Sequence, residues 1–193
     1  VLAVDVEKVC AMFDEAASVI SATKALAGEL LKLSTSISTA LKAGNKVLIF
    51  GNGGSAADAQ HFAGELVGRF KLERNPLPAI ALTADSSVLT ALANDFGFEE
   101  VFSMQVDALA KEGDVVIGIT TSGKSLNVVK ALRTAKLKGA FTAVLTGLGG
   151  RHLSDEVDIC IAIPSQDTQR IQEAHTVVLH IVCELLEESI KRA

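Results

Sequence analysis

The sequence predicts a three-layer α/β sandwich around a five-stranded parallel sheet, of the flavodoxin- or Rossmann-like kind, with extra helices on its N-terminal side. Three observations predict it. Five short apolar runs recur along the chain, uniform rather than alternating in polarity, which is the pattern of strands buried on both faces. Helical stretches separate these runs, and such alternation implies right-handed crossovers. The composition agrees: 193 residues, 49% hydrophobic and 21% charged, suit one globular domain whose core needs no disulfides.

Residues 4–44 read as helix. Val4, Val6, Val9, Met12, Phe13, Ala16 and Ile20 recur at three- and four-residue steps, and Leu26, Leu30, Leu31, Leu33 and Ile37 continue the series. Gly44 is a C-cap candidate. The α/β part then runs from residue 45 to 193. Its first strand is Lys46–Phe50, followed by a helix over 55–69. The second strand, Pro78–Leu82, precedes helices over 86–94 and 98–111. The third, Asp114–Ile119, leads into a helix over 125–138. Phe141–Leu145 and Val157–Ile163 are the last two strands, with a short helical piece near 149–154 between them. A long terminal helix over 167–191 carries Ile171, Val177, Val178, Ile181, Val182, Leu185 and Leu186. Apolar helices at both ends exceed what one small sheet needs as cover, so part of that surface is expected to bury against other subunits.

Charge and composition exclude several functions. With 18 basic against 23 acidic residues, the chain lacks the basic face that nucleic-acid binding requires. There is no Trp or Tyr to form base-stacking platforms. Cys10, Cys160 and Cys183 are odd in number and widely spaced, as expected of reduced thiols in the core of a cytosolic protein. No apolar run approaches a membrane span and no leader pattern is visible, so neither a membrane nor a nucleic acid is expected as partner.

In an open parallel sheet, ligands bind at the carboxyl ends of strands. Two such ends are rich in glycine and hydroxyls. Gly51-Asn52-Gly53-Gly54-Ser55 enters a helix, and its glycines let backbone approach a ligand while the helix start offers free N–H groups. Thr120-Thr121-Ser122-Gly123-Lys124-Ser125 again joins strand to helix and makes a phosphate cradle. The alternatives are a tight turn for the first and a plain N-cap at Ser125 for the second. Gly51-x-Gly53-x-x-Ala56 matches the dinucleotide fingerprint, but the acidic partner that motif needs comes far too late, at Asp85. Gly118-x4-Gly123-Lys124-Ser125 satisfies the Walker A pattern. Against it, Gly118 and Ile119 read as the end of a strand. No later strand ends in the Asp that would hold magnesium.

Further candidates lie on two helices. His61 and Glu65 stand at i and i+4, able to share a metal or a proton or to form a plain surface pair. The terminal helix carries Gln172, Glu173, His175 and His180. Gln172 and His180 are about 12 Å apart along that helix. To reach one ligand they must bracket it or come from different subunits. His175 reads as a packing residue.

Taken together, these motifs resemble the sugar isomerase (SIS) domain superfamily, and within it the phosphoheptose isomerases. The residues that carry the resemblance are Gly51–Ser55, His61-Phe-Ala-Gly-Glu65-Leu-Val-Gly-Arg69, Asn94-Asp-Phe-Gly-Phe98, Glu112-Gly-Asp-Val115, Gly118–Gly123 and Arg170-Ile-Gln-Glu-Ala-His175. The likeness covers Lys46 to the C-terminus and extends more loosely through the N-terminal helices. It implies a single SIS-type domain and an aldose–ketose isomerase. That enzyme turns sedoheptulose 7-phosphate into D-glycero-D-manno-heptose 7-phosphate, early in lipopolysaccharide heptose synthesis. It implies phosphate contacts from Thr120, Thr121, Ser122 and Ser125. Asn52, Gly53, Gly54, Ser55, Asn94, Asp95, Glu65 and Gln172 would line the sugar. Zinc would be held by His61, Glu65, Gln172 and His180, in a homotetramer whose active sites lie between subunits. Glu65 is expected to move the carbon-bound proton and His180 to serve the oxygens, roles that could be exchanged. The chain departs from the pattern at Lys124, Thr120 and Gln169. A non-catalytic branch of the superfamily, an adaptor that binds the replication initiator, lacks the acid at position 65 and the His at 180. This chain has both.

Overall fold

The computed structural model describes residues 5–191; Val4, where the expected N-terminal helix begins, lies outside them. The five strands form where the apolar runs predict: β1 Val47–Gly51, β2 Ala79–Ala81, β3 Val115–Thr120, β4 Phe141–Gly147 and β5 Ile159–Ile163. They pair in the order β2-β1-β3-β4-β5, all parallel. The order reverses direction between β1 and β3, the point where sheets of this kind open a ligand crevice.

Helices cover both faces, as the near-continuous burial along β1, β3 and β4 requires. Val47 and Ile49 of β1 join the core beneath α2 (Ala27–Lys42), α3 (Gly54–Val67) and α7 (Thr168–Lys191). Leu48 and Phe50 turn to the opposite core, under α5 (Ser103–Leu109) and α6 (Leu126–Leu137). α4 (Ser86–Phe96) lies at the rim of that second layer. Two short 3₁₀ segments, Phe98–Glu100 and Leu148–Asp155, replace parts of the expected helices there.

The N-terminal helix is not continuous. α1 (Val6–Ala22) ends in a 3₁₀ turn over Thr23–Leu26 before α2 begins. At the break the Thr23 hydroxyl donates to the Val19 carbonyl at 2.9 Å, a side chain competing with the backbone for its helical partner. The two helices also differ in role. α2 buries Leu30, Leu33, Ile37 and Ala40 against the sheet, whereas α1 lies outside it and buries no residue. Gly44 closes α2 with φ at +82°, as its C-cap reading predicts.

Candidate active site

Both loops identified from the sequence emerge at the crevice between β1 and β3. In the first, Gly53 has φ +56° and ψ −121°, backbone open to glycine alone, and it turns the chain into α3. Gly51 and Gly54 are required for space. A Cβ on Gly51 would stand 2.7 Å from that of Ser55, and one on Gly54 would stand 2.5 Å from Nε2 of Gln172. Ser55 is buried in the first turn of α3. Asn52 is held by a residue that sequence reasoning missed. Its amide and that of Asn127, buried at the start of α6, each donate to the other at 2.9 Å. The reciprocal pair ties the glycine loop to the helix that follows the hydroxyl loop. A buried Asn inside an otherwise aliphatic helix face was the available signal.

The second loop begins at Thr120, the last residue of β3, whose hydroxyl shares a hydrogen bond with that of Ser125 at 3.1 Å. Ser122 accepts from the Lys124 N–H, and the Thr121 carbonyl accepts from the Gly147 N–H. Gly118 is no part of this loop. It sits within β3 in register with Val144, and a Cβ there would meet Val128 at 2.8 Å. The Walker A match is therefore a coincidence of spelling. Its first glycine packs strand against α6 and leaves too few residues for a triphosphate loop.

α3 and α7 lie side by side on one face of the sheet and run in the same direction, and their side chains meet in successive rungs. Gln172 lies over Gly54, Thr176 donates to Asp58 at 3.0 Å, and Nε2 of His180 stands 2.9 Å from Nε2 of His61. Glu65 lies one turn further on, with Oε1 3.3 Å from the same His61 nitrogen. The acid of α3 and the imidazole of the terminal helix thus converge within one chain, where convergence across a subunit boundary is the expectation. The reason is topological: α3 and α7 follow β1 and β5 onto the same layer. Gln172, two rungs away, does not join the trio.

The three groups face solvent on one side and protein on the other. His61 is half exposed and Glu65 about a quarter, while the Phe70 ring covers His180 with centroids 5.4 Å apart. One of the two facing Nε2 atoms carries a proton and the other accepts it. Beneath them is Asp58, which sequence reasoning also missed. Burial raises its carboxyl above the usual range, against the pull of the Thr176 hydroxyl and of His61 and His180. Its second oxygen is buried without a hydrogen-bond partner.

Two imidazoles and a carboxylate are a donor set suited to zinc. The two imidazoles themselves stand at hydrogen-bond distance. Among the described residues, no three His, Cys, Asp or Glu side chains are already spread as a metal centre. Asn94 and Asp95 lie elsewhere, exposed at the end of α4, where the Asn94 amide donates to Asp95 at 2.7 Å.

Residues 11–147 match the family model of the SIS domain. The phosphoheptose isomerase of Aquifex aeolicus is 54% identical over 185 residues, 95% of this chain and 97% of that protein. The phosphoheptose isomerase of Geobacter sulfurreducens is 54% identical over 165 residues, 86% of this chain and 87% of that protein. Among solved structures, the phosphoheptose isomerase GmhA from Neisseria gonorrhoeae superposes with a TM-score of 0.89 at 39% identity, covering 94% of this chain and 98% of that one. A phosphoheptose isomerase from Francisella tularensis gives 0.90 at 36% identity, covering 94% and 97%.

Proposed function

The chain belongs to the SIS domain family, and from that premise and the site we infer that it is an aldose–ketose isomerase of sugar phosphates. It interconverts sedoheptulose 7-phosphate and D-glycero-D-manno-heptose 7-phosphate, an early reaction of heptose synthesis. The observation that carries the reading is the convergence of Glu65, His61 and His180 within 3.3 Å contacts, in a protein that also presents a hydroxyl cradle at its sheet crevice.

The reaction moves one hydrogen between neighbouring carbons and shuffles protons between their oxygens. The Glu65 carboxylate removes a proton from C1, the C1–C2 double bond forms, and the C2 oxygen takes up a proton. The enediol then loses the proton of its C1 oxygen and receives one at C2, which leaves an aldehyde at C1 and a hydroxyl at C2. His180, with one nitrogen to donate and one to accept, suits the transfers at oxygen. His61 holds both partners in place. Thr120, Thr121, Ser122 and Ser125 anchor the phosphate, and the backbone of Gly53 and Gly54 approaches the sugar. Zinc, which His61, Glu65, His180 and a Gln172 amide would hold, supplies polarisation of the carbonyl when bound.

We also propose that the working form is a homotetramer with shared sites and a cytoplasmic setting. Glu65 lies about 16 Å along α3 from the glycine loop, at 1.5 Å per residue. An extended seven-carbon phosphate is shorter than that. On this proposal a phosphosugar anchored at the loops of one chain meets the acid of a neighbouring chain. The apolar outer face of α1, where Val6 is 77% and Phe13 73% exposed, supports such burial. So does an apolar groove of about 460 Å³ between α2 and α7.

The test is incubation of the purified protein with sedoheptulose 7-phosphate, following aldose formation with and without a chelator. Turnover is expected. Glu65→Gln and His180→Gln should each lower it by about 10²–10⁴. Near-normal turnover in Glu65→Gln would overturn the assignment.

A further inference from the structure

Beyond the catalytic cluster, one buried ion pair touches every segment that builds it. Glu187 is on α7, seven residues and so about two turns past His180, on the same helical face. Its carboxylate accepts from the backbone N–H groups of Phe70 at 3.1 Å, Lys71 at 2.9 Å and Leu72 at 3.0 Å. The fourth donor is Arg74 Nε, at 3.1 Å. The Arg74 guanidinium turns back onto the end of α3. There Nη2 donates to the carbonyl of Glu65 itself at 2.7 Å, and Nη1 to that of Leu66 at 2.9 Å. The two side chains are 6% and 3% exposed.

We infer that Arg74 and Glu187 are positioning residues of the isomerase, fixing Glu65 against His180 from behind the site. Arg74 satisfies carbonyls that the last turn of α3 leaves unpaired, and so holds the backbone of the acid. Glu187 gathers three consecutive N–H groups of the following loop and thereby sets the Phe70 ring on the His180 imidazole. The ion pair joins these two actions and sets the spacing of α3 and α7 where the acid and the imidazole meet. Burial pushes the Glu187 carboxyl up, and its four donors more than offset this, holding it below the usual range. A pair built only for stability would do as well in apolar form. This one aims its donors and acceptors at the backbone of the catalytic segments.

The inference rests on the isomerase reading, and its test separates the two. Glu187→Gln, Arg74→Lys and the double variant Arg74→Met/Glu187→Leu are compared with wild type. The readouts are thermal unfolding, kcat and KM for sedoheptulose 7-phosphate, and the ring proton resonances of His180 assigned through His180→Gln. The double variant should unfold at a lower temperature than Glu187→Gln, because its apolar groups leave the three loop N–H groups and the α3 carbonyls without partners. All three should lose about 10²-fold in kcat with KM nearly unchanged, the cost of a misplaced acid. The His180 resonances should move as Phe70 leaves the ring, while those of buried His175 stay. A folded variant that keeps wild-type kcat, or an unmoved His180 resonance in Glu187→Gln, would overturn the positioning role. If wild type itself gives no aldose while the His180 resonances respond as expected, the isomerase reading fails and the positioning geometry stands.

Discussion

His175 shows how far burial alone can set a residue's chemistry. It is fully buried; its Nε2–H donates to the Thr146 carbonyl at 3.2 Å, and its Nδ1 has no partner. Burial lowers its pKa from 6.5 to about 4, against the opposing Thr146 hydrogen bond, so the folded protein holds it neutral. The unfolded chain binds the proton between these values and the folded chain does not. Stability tied to this residue is therefore complete above pH 6.5 and lost as pH falls towards 4. The loss approaches about 3 kcal/mol. Thermal unfolding from pH 7 to 4 should thus fall more steeply in wild type than in His175→Gln, which keeps a donor but cannot ionise. Cys183 shows the same principle in a thiol. Burial and the nearby Glu65 and Glu187 push it up to about 12, against Arg74. Cys10, by contrast, is exposed on α1 and not in the core as expected, and a maleimide should leave Cys183 untouched until the protein unfolds.

Among the elements, β3 and α6 tell most about reading motifs. A literal Walker A string runs through their junction, yet the strand takes its first half. Gly118 is there because Val128 and Leu132 of α6 press on the sheet. Gly118→Ala should cost about 1–3 kcal/mol by overpacking, seen as a lower unfolding midpoint. No magnesium-dependent ATP hydrolysis is expected from the wild-type chain. The glycine loop behaves oppositely, because its sequence meaning survives folding. Gly53→Ala would strain the backbone at the entry to α3. The pairing of α3 with α7 is the consequential contact. It converts an i, i+4 pair that could have been a surface ornament into part of a three-residue cluster.

At the scale of the molecule, the outer helix α1 and the span of α3 between glycine loop and acid both bear on the proposed assembly. On the proposed tetrameric reading, the exposed apolar face of α1 is covered by another copy of the chain. Phe13→Glu should reduce the sedimentation coefficient of the assembly. Shared sites make a sharper prediction. Glu65→Gln chains and Ser122→Ala/Ser125→Ala chains, each inactive alone, should regain turnover when unfolded and refolded together. Mixed assemblies then contain sites with one intact acid and one intact cradle. Sites confined to single chains would show no recovery.

The sequence by itself determined the strands, their parallel pairing, the two ligand loops and the candidate acid and imidazoles. These depend on local patterns: uniform apolar runs, glycine where φ is positive or space is absent, and hydroxyls at strand ends. It could not determine which helices would lie together. The His61–His180 contact joins residues 119 positions apart, and the Arg74–Glu187 pair joins residues 113 apart. The Asn52–Asn127 amide pair and the buried Asp58 were hidden for the same reason. Each depends on which surfaces the sheet brings face to face, and periodicity along one helix does not encode the identity of its neighbour.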